Sequence, residues 1–118
     1  MNKKYFLFLV LILFALSENT YAQTQTEMNQ SANTSFIKAD TELNKVYKQL
    51  LKVLNENEKS LLIKAQKNWL KFRDSHCNFV TAQYVGGSIM PLIYSTCLED
   101  CTKNRIKDLK SSLKSKKK

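Results

Sequence analysis

The sequence predicts an all-α fold, a small up-down bundle of three long helices with a disulfide-stapled helical hairpin. Three observations carry this. Apolar side chains recur at three-or-four spacing over long stretches, with no strand-like alternation. Helix breakers are scarce, at one Pro and two Gly in 118 residues. The three cysteines, Cys77, Cys97 and Cys101, flank the glycine-containing bend, where a bridge between helices would compensate for the modest core of so short a chain.

The elements follow in order. Lys3 and Lys4 precede an apolar run of twelve residues, Tyr5–Leu16. That run is short of the roughly 20 residues a membrane span needs but suits the core of a secretory signal, assigned here to residues 1–22. Cleavage after Ala22 would leave Gln23 as the mature start; cleavage after Ser17 would free Glu18. No cysteine follows the apolar run, so a lipid anchor is not expected. Removing residues 1–22 takes away Lys3, Lys4 and Glu18, leaving 17 basic against 9 acidic residues, a net charge of +8. The Lys, Asn and Ser bias suggests a bacterial source, and an exported chain of that kind is periplasmic or secreted.

Residues 23–30 are polar and read as loose. From about Met28 to Asn55 the positions Ala32, Phe36, Ala39, Leu43, Val46, Tyr47, Leu50, Leu51 and Leu54 form one helical stripe. Asn55-Glu56-Asn57 breaks it, with Glu56 and Glu58 as capping residues. A second stripe, Leu61, Leu62, Ala65, Trp69, Phe72, His76, Phe79, Val80 and Gln83, predicts a helix over 58–84. Gly86-Gly87-Ser88 ends it, because glycine accommodates the positive φ of a helix terminus. Pro91 is tolerated in the first turn of the third helix, which carries Ile93, Tyr94, Cys97, Leu98, Cys101, Ile106, Leu109 and Leu113. Residues 111–118 read as a solvated basic tail.

Among the cysteines, a Cys77–Cys97 bridge would close the hairpin, and Cys77–Cys101 is geometrically conceivable. Cys97–Cys101 is disfavoured, since one helix holds those Cβ atoms too far apart. The unpaired Cys101 reads as a small buried apolar residue or as a link to a second chain, without which the protein is expected to be a monomer. One His and three Cys lack the usual paired zinc ligands, so no metal site and no cofactor are expected.

The order Met28-Asn29, Ala39-Asp40, Glu42-Leu43-Asn44, Tyr47, Gln66, Trp69, Phe72-Arg73-Asp74, Cys77, Gly86-Gly87-Ser88, Cys97, Thr102 and Arg105 resembles the lysozyme inhibitor LprI-like family of small secreted bacterial proteins. The resemblance covers about residues 24–110. It implies an exported helical domain with a hairpin disulfide, and its name implies inhibition of lysozyme. Many relatives carry a cysteine where this chain has Ser31, and another upstream that is absent here. Losing both suits the loss of one whole bridge and leaves Cys77 and Cys97 as the retained pair. Relatives usually have a plain apolar residue at the position of Cys101. Ala beside the scissile bond favours the cut after Ala22, whereas the reach of the resemblance toward Asn19 favours the cut after Ser17; both stay open.

The charged residues within the helices read as a structural polar network of Asp40, Asn44, Arg73, Asp74 and Arg105. Neighbours such as Arg73 and Asp74 point about 100° apart on a helix and are not expected to pair with each other. Asp74 is instead expected to reach Arg105 or a helix end, and Arg73 to reach Asp40 or a carbonyl. His76 has no nucleophile arranged beside it as a catalytic pair. Asp74 and Glu99 lack the apolar pocket a glycosidase acid requires, so the chain is not expected to be an enzyme.

Binding remains. One reading is a lysozyme inhibitor that presents the bend Tyr84, Gly86, Gly87, Ser88, Ile89 and Met90 to an enzyme cleft. A net charge of +8 opposes approach to a basic lysozyme, leaving Glu99 and Asp100 as the nearest acidic contacts. The alternative is an envelope-associated module whose basic end, Lys110, Lys114, Lys116, Lys117 and Lys118, rests on anionic lipid. Nucleic acid is not an expected partner for an exported chain, and no transmembrane segment is expected after processing.

Overall fold

The computed structural model describes residues 2–118, with the side chains of residues 8 and 11–23 left aside. Three helices, α1 (Lys3–Val53), α2 (Glu56–Thr81) and α3 (Met90–Lys116), are joined by a tight reversal and by a short 3₁₀ turn, Ala82–Tyr84. Among the described residues there is no strand, so the expected all-α class holds. The chain reverses at Leu54-Asn55 and again at 85–89, which makes α1 and α3 parallel and sets α2 antiparallel to both.

The first helix begins far earlier than periodicity predicts. It runs 51 residues from Lys3, about 76 Å at the helical rise, and gives the molecule its rod-like extents of 83 × 25 × 15 Å. Residues 23–30, expected to be loose, are helical. No Gly or Pro occurs before Gly86, and Gln, Glu, Met and Ala are good helix formers, so polarity alone does not stop the helix. Near its start Tyr5, Phe6, Leu7, Leu9 and Val10 are exposed. The proposed signal cleavage positions, Ser17 and Ala22, have side chains outside the described residues. No described helix is long and apolar enough to cross a membrane.

The reversal between α1 and α2 is fixed by a capping box. Asn55 Oδ1 accepts from the Glu58 N–H at 2.9 Å and Glu58 Oε2 accepts from the Asn55 N–H at 3.1 Å, which satisfies two terminal N–H groups at once. Helix α2 therefore starts at Glu56, inside the segment expected to be irregular. Glu56 itself pairs with Lys59 at 2.8 Å. The Lys116 ammonium and then the Asn55 N–H hold the Glu58 carboxyl below its usual range. That contribution is present above the ordinary glutamate pKa and fades as pH falls through the lowered one. Helix α3 continues to Lys116, which pairs with Glu58, and only Lys117 and Lys118 lie beyond it. The expected basic tail is therefore helical for most of its length.

At the other end Gly86 has φ +82°, a conformation disfavoured by a Cβ. A Cβ at Gly87 would meet the Tyr84 carbonyl at 3.1 Å. Gln25 Nε2 donates to the Ser88 carbonyl at 2.9 Å, tying this bend to α1.

The core joins Leu43, Val46 and Leu50 of α1 to Ile106, Leu109 and Leu113 of α3, with Tyr47, Leu54, Leu62 and Trp69 packed around it. Helix α2 contributes differently from its apolar stripe. Its buried residues are Gln66, Arg73, Cys77 and Thr81, whereas Leu61, Phe72 and Phe79 are exposed, Phe79 at 78%. The inward row is rotated from the predicted one, because Gln66 and Arg73 find partners on α1 and α3 and Thr81 bonds back to its own helix. The Phe72 ring stacks on His76 with centroids 5.4 Å apart.

Truncating Leu43, which has no exposed surface, should cost about 2–5 kcal/mol. Leu61→Ala on the exposed row should stay within about 0.5 kcal/mol of the parent. Urea unfolding followed by circular dichroism measures both.

Candidate functional site

Arg73 sits at the junction of all three helices, its side chain 9% exposed. Its Nη1 donates to Asp40 Oδ1 on α1 at 3.1 Å and to Thr102 Oγ1 on α3 at 3.4 Å. Its Nε donates to Asp74 Oδ1 at 3.0 Å. The guanidinium also lies 5.3 Å from the ring centroids of Phe36 and Trp69, within cation–π range. Arg105 places its guanidinium 5.8 Å from the Trp69 ring and donates to Gln66 Oε1 at 3.0 Å.

Several expectations meet this geometry differently. The Asp40–Arg73 pair forms as expected. Arg73 and Asp74 do pair, contrary to expectation, because the long Arg side chain folds back along its own helix and the half-exposed Asp74 carboxylate meets it. Asp74 pairs with Arg73 rather than with Arg105, which donates to Gln66 instead. Asn44 is exposed on α1 and stands outside the network. Gln66 and Thr102 are buried members outside the expected set of Asp40, Asn44, Arg73, Asp74 and Arg105; their place in the motif around Trp69 and Arg105 is the sequence signal that marks them.

Cys77 and Cys97 are bridged, with Cα atoms 5.7 Å apart and a sequence separation of 20. Closing a loop of that length stabilises the fold by about 3 kcal/mol in the chain-entropy model. Cys101 is free and half-buried. Burial and then the Asp100 carboxylate push its thiol up, opposed by Arg73. Linear spacing suggested no metal ligand set, yet the fold brings ligand atoms of His76, Cys97 and Cys101 within 4.8 Å of one another. They line a groove of about 390 Å³ between α2 and α3.

The bend and the basic end lie at opposite ends of the bundle. At the bend Tyr84 and Met90 are half-buried, while Gly86, Gly87, Ser88 and Ile89 are exposed. Val85, absent from the predicted contact set, is 72% exposed there. At the basic end Lys110, Lys114, Lys117 and Lys118 gather around Leu113. Two lysines of the expected anionic-surface set already have partners: Lys110 pairs with Glu42 at 3.2 Å, and Lys116 with Glu58. Glu99 pairs with Lys103 at 2.5 Å and Asp74 with Arg73, so each carboxylate of the imagined glycosidase pair is held by its own cation.

A three-helix bundle pinned by a buried Arg network and one hairpin disulfide defines a small stapled helical domain with a rigid bend. The chain belongs to the lysozyme inhibitor LprI family, whose model matches residues 16–109, and that is a family of inhibitors. An uncharacterized protein of Rhizobium meliloti (strain 1021) is 31% identical over 107 residues, covering 80% of this chain and 77% of that relative. No solved structure matches the chain significantly.

Asp40→Asn should destabilise the domain by about 1–3 kcal/mol, since it removes the charged acceptor of a buried donor, whereas Asn44→Ala should change stability by less than about 0.5 kcal/mol; thermal unfolding separates them. Cys101 should alkylate more slowly than an unhindered thiol near pH 8.5, the ordinary thiol pKa, and gain rate at higher pH. Iodoacetamide labelling read by mass spectrometry checks this.

Proposed function

We propose that the chain is exported to the periplasm or beyond and inhibits a lysozyme by protein–protein contact through the Tyr84–Met90 bend. The family match carries this reading. Export is supported by the exposed apolar side chains of Tyr5, Phe6, Leu7, Leu9 and Val10 and by a hairpin disulfide, which persists in oxidising compartments. The bend suits a plug because it is pre-organised: Gly86 fixes the turn, Gln25 holds Ser88, and the Cys77–Cys97 bridge closes the hairpin beneath it. Little ordering remains for binding to oppose. Val85 and Ile89 offer the exposed apolar anchors. The active form is a monomer unless Cys101 joins two chains.

A net charge of +8 on residues 23–118 slows encounter with a basic lysozyme and leaves affinity to local contacts. The basic end supports the alternative, docking on anionic envelope lipid, through Lys114, Lys117 and Lys118 beside Leu113.

The test is lysis of a peptidoglycan suspension by an animal-type lysozyme, with the oxidised mature protein added at matched ionic strength. Dose-dependent protection is expected. Val85→Asp with Ile89→Asp should weaken it by at least about tenfold, as loss of hot-spot anchors does, and Lys114, Lys117 and Lys118→Gln should leave it intact. No protection at large molar excess would reject this lysozyme class. Vesicle binding lost in the Lys→Gln variant would then favour the lipid reading.

A further inference from the structure

The groove between α2 and α3 is lined by the single histidine of the chain and by two of its three cysteines, Cys97 and Cys101. Ligand atoms of His76, Cys97 and Cys101 lie within 4.8 Å of one another, and Cys77 is bonded to Cys97. Cys97 and Cys101 are one turn apart and so share a face of α3. His76 and Cys77 are adjacent on α2, with the imidazole held against the Phe72 ring. A tetrahedral zinc site places such ligands about 3.8 Å apart, given its bond lengths. For His76, Cys97 and Cys101 the contraction needed is at most about 1 Å, the scale of a side-chain rotation, and the Cys77 side chain must turn toward them once its bond to Cys97 opens.

We propose that reduction of the Cys77–Cys97 bridge converts this cluster into a Cys₃His site for a thiophilic cation of the zinc class. The reductant is an external dithiol. It loses two electrons and two protons as its own disulfide forms, and the Cys77–Cys97 bond accepts them to give two thiols. Metal binding then displaces the protons of three thiols, and neutral His76 supplies the fourth donor. Three thiolates on a divalent ion leave one net negative charge. In the oxidised protein two of the four donors are engaged in the bridge, so metal uptake is confined to the reduced chain. Cys101, which the bridge does not use, thereby has a role in the reduced protein. The site is independent of the lysozyme reading, and its failure would leave that reading untouched.

The test uses the processed protein, reduced anaerobically with a phosphine and titrated with Co²⁺, followed by absorbance and circular dichroism. One equivalent should raise thiolate-to-cobalt charge-transfer absorption and the visible bands of a tetrahedral site, with helix retained or regained, and Zn²⁺ should displace it. The oxidised protein should give no such bands. Cys101→Ser and His76→Ala, each first shown to fold in the oxidised form, should weaken reduced-state binding by at least about tenfold. Absent bands, a chain that stays unfolded with Co²⁺, or binding that neither variant weakens would overturn the proposal.

Discussion

The guanidinium of Arg73 needs acceptors wherever it is taken out of water, and in this chain those acceptors are spread over the bundle. Asp40 on α1, Asp74 on α2 and Thr102 on α3 each receive one of its hydrogen bonds. A buried cation that loses a partner is costly, so sliding one helix past another by a turn is penalised beyond its loss of apolar contact. The apolar layer of Leu43, Val46, Leu50, Ile106, Leu109 and Leu113 supplies cohesion mainly between α1 and α3. Helix α2 buries Gln66, Arg73, Cys77 and Thr81 in their place. Its docking thus rests on polar satisfaction and a covalent bridge more than on hydrophobic area. Trp69 connects the two regimes: it packs on the apolar core and takes both Arg73 and Arg105 against its ring.

The two ends of the bundle are closed by different means and offer different chemistry. At one end the Asn55–Glu58 box and the Lys116–Glu58 pair bind the first reversal to the end of α3. Lys114, Lys117 and Lys118 beside Leu113 leave positive charge there. At the other, Gly86, the Gln25–Ser88 hydrogen bond and the Cys77–Cys97 bridge hold a short bend whose Val85 and Ile89 face solvent. A fixed bend with exposed apolar anchors suits a protein contact, whereas a clustered cationic end suits an anionic surface. The family to which the chain belongs favours the first.

Helix number, the glycine bend and the α1–α3 core were readable because apolar periodicity and breaker residues report them directly. Asp40–Arg73 was readable as well, since a charged pair on apolar helices has few alternatives. The inward face of α2 was not: apolarity marks Leu61, Phe72 and Phe79, while burial goes to Gln66 and Arg73, which find partners on other helices, and to Thr81, which donates back to the Cys77 carbonyl of its own helix. The Arg73–Asp74 pair was hidden by treating side chains as short vectors fixed to the helix, which a flexible Arg is not. The early start of α1 was hidden because a polar stretch without Gly or Pro carries no stop signal. The His76, Cys97 and Cys101 cluster had no linear spacing to reveal it, because its ligands come from two antiparallel helices.

The most direct measurement of the Arg73 junction is amide hydrogen exchange, compared between the oxidised parent and Arg73→Lys, which keeps the charge but loses the forked donors. Loss of protection in α1, α2 and α3 together, centred on residues near Asp40, Trp69 and Thr102, is the predicted result. Loss confined to the turn of α2 around position 73, with α1 and α3 protected as in the parent, would contradict a junction that sets the register of all three helices.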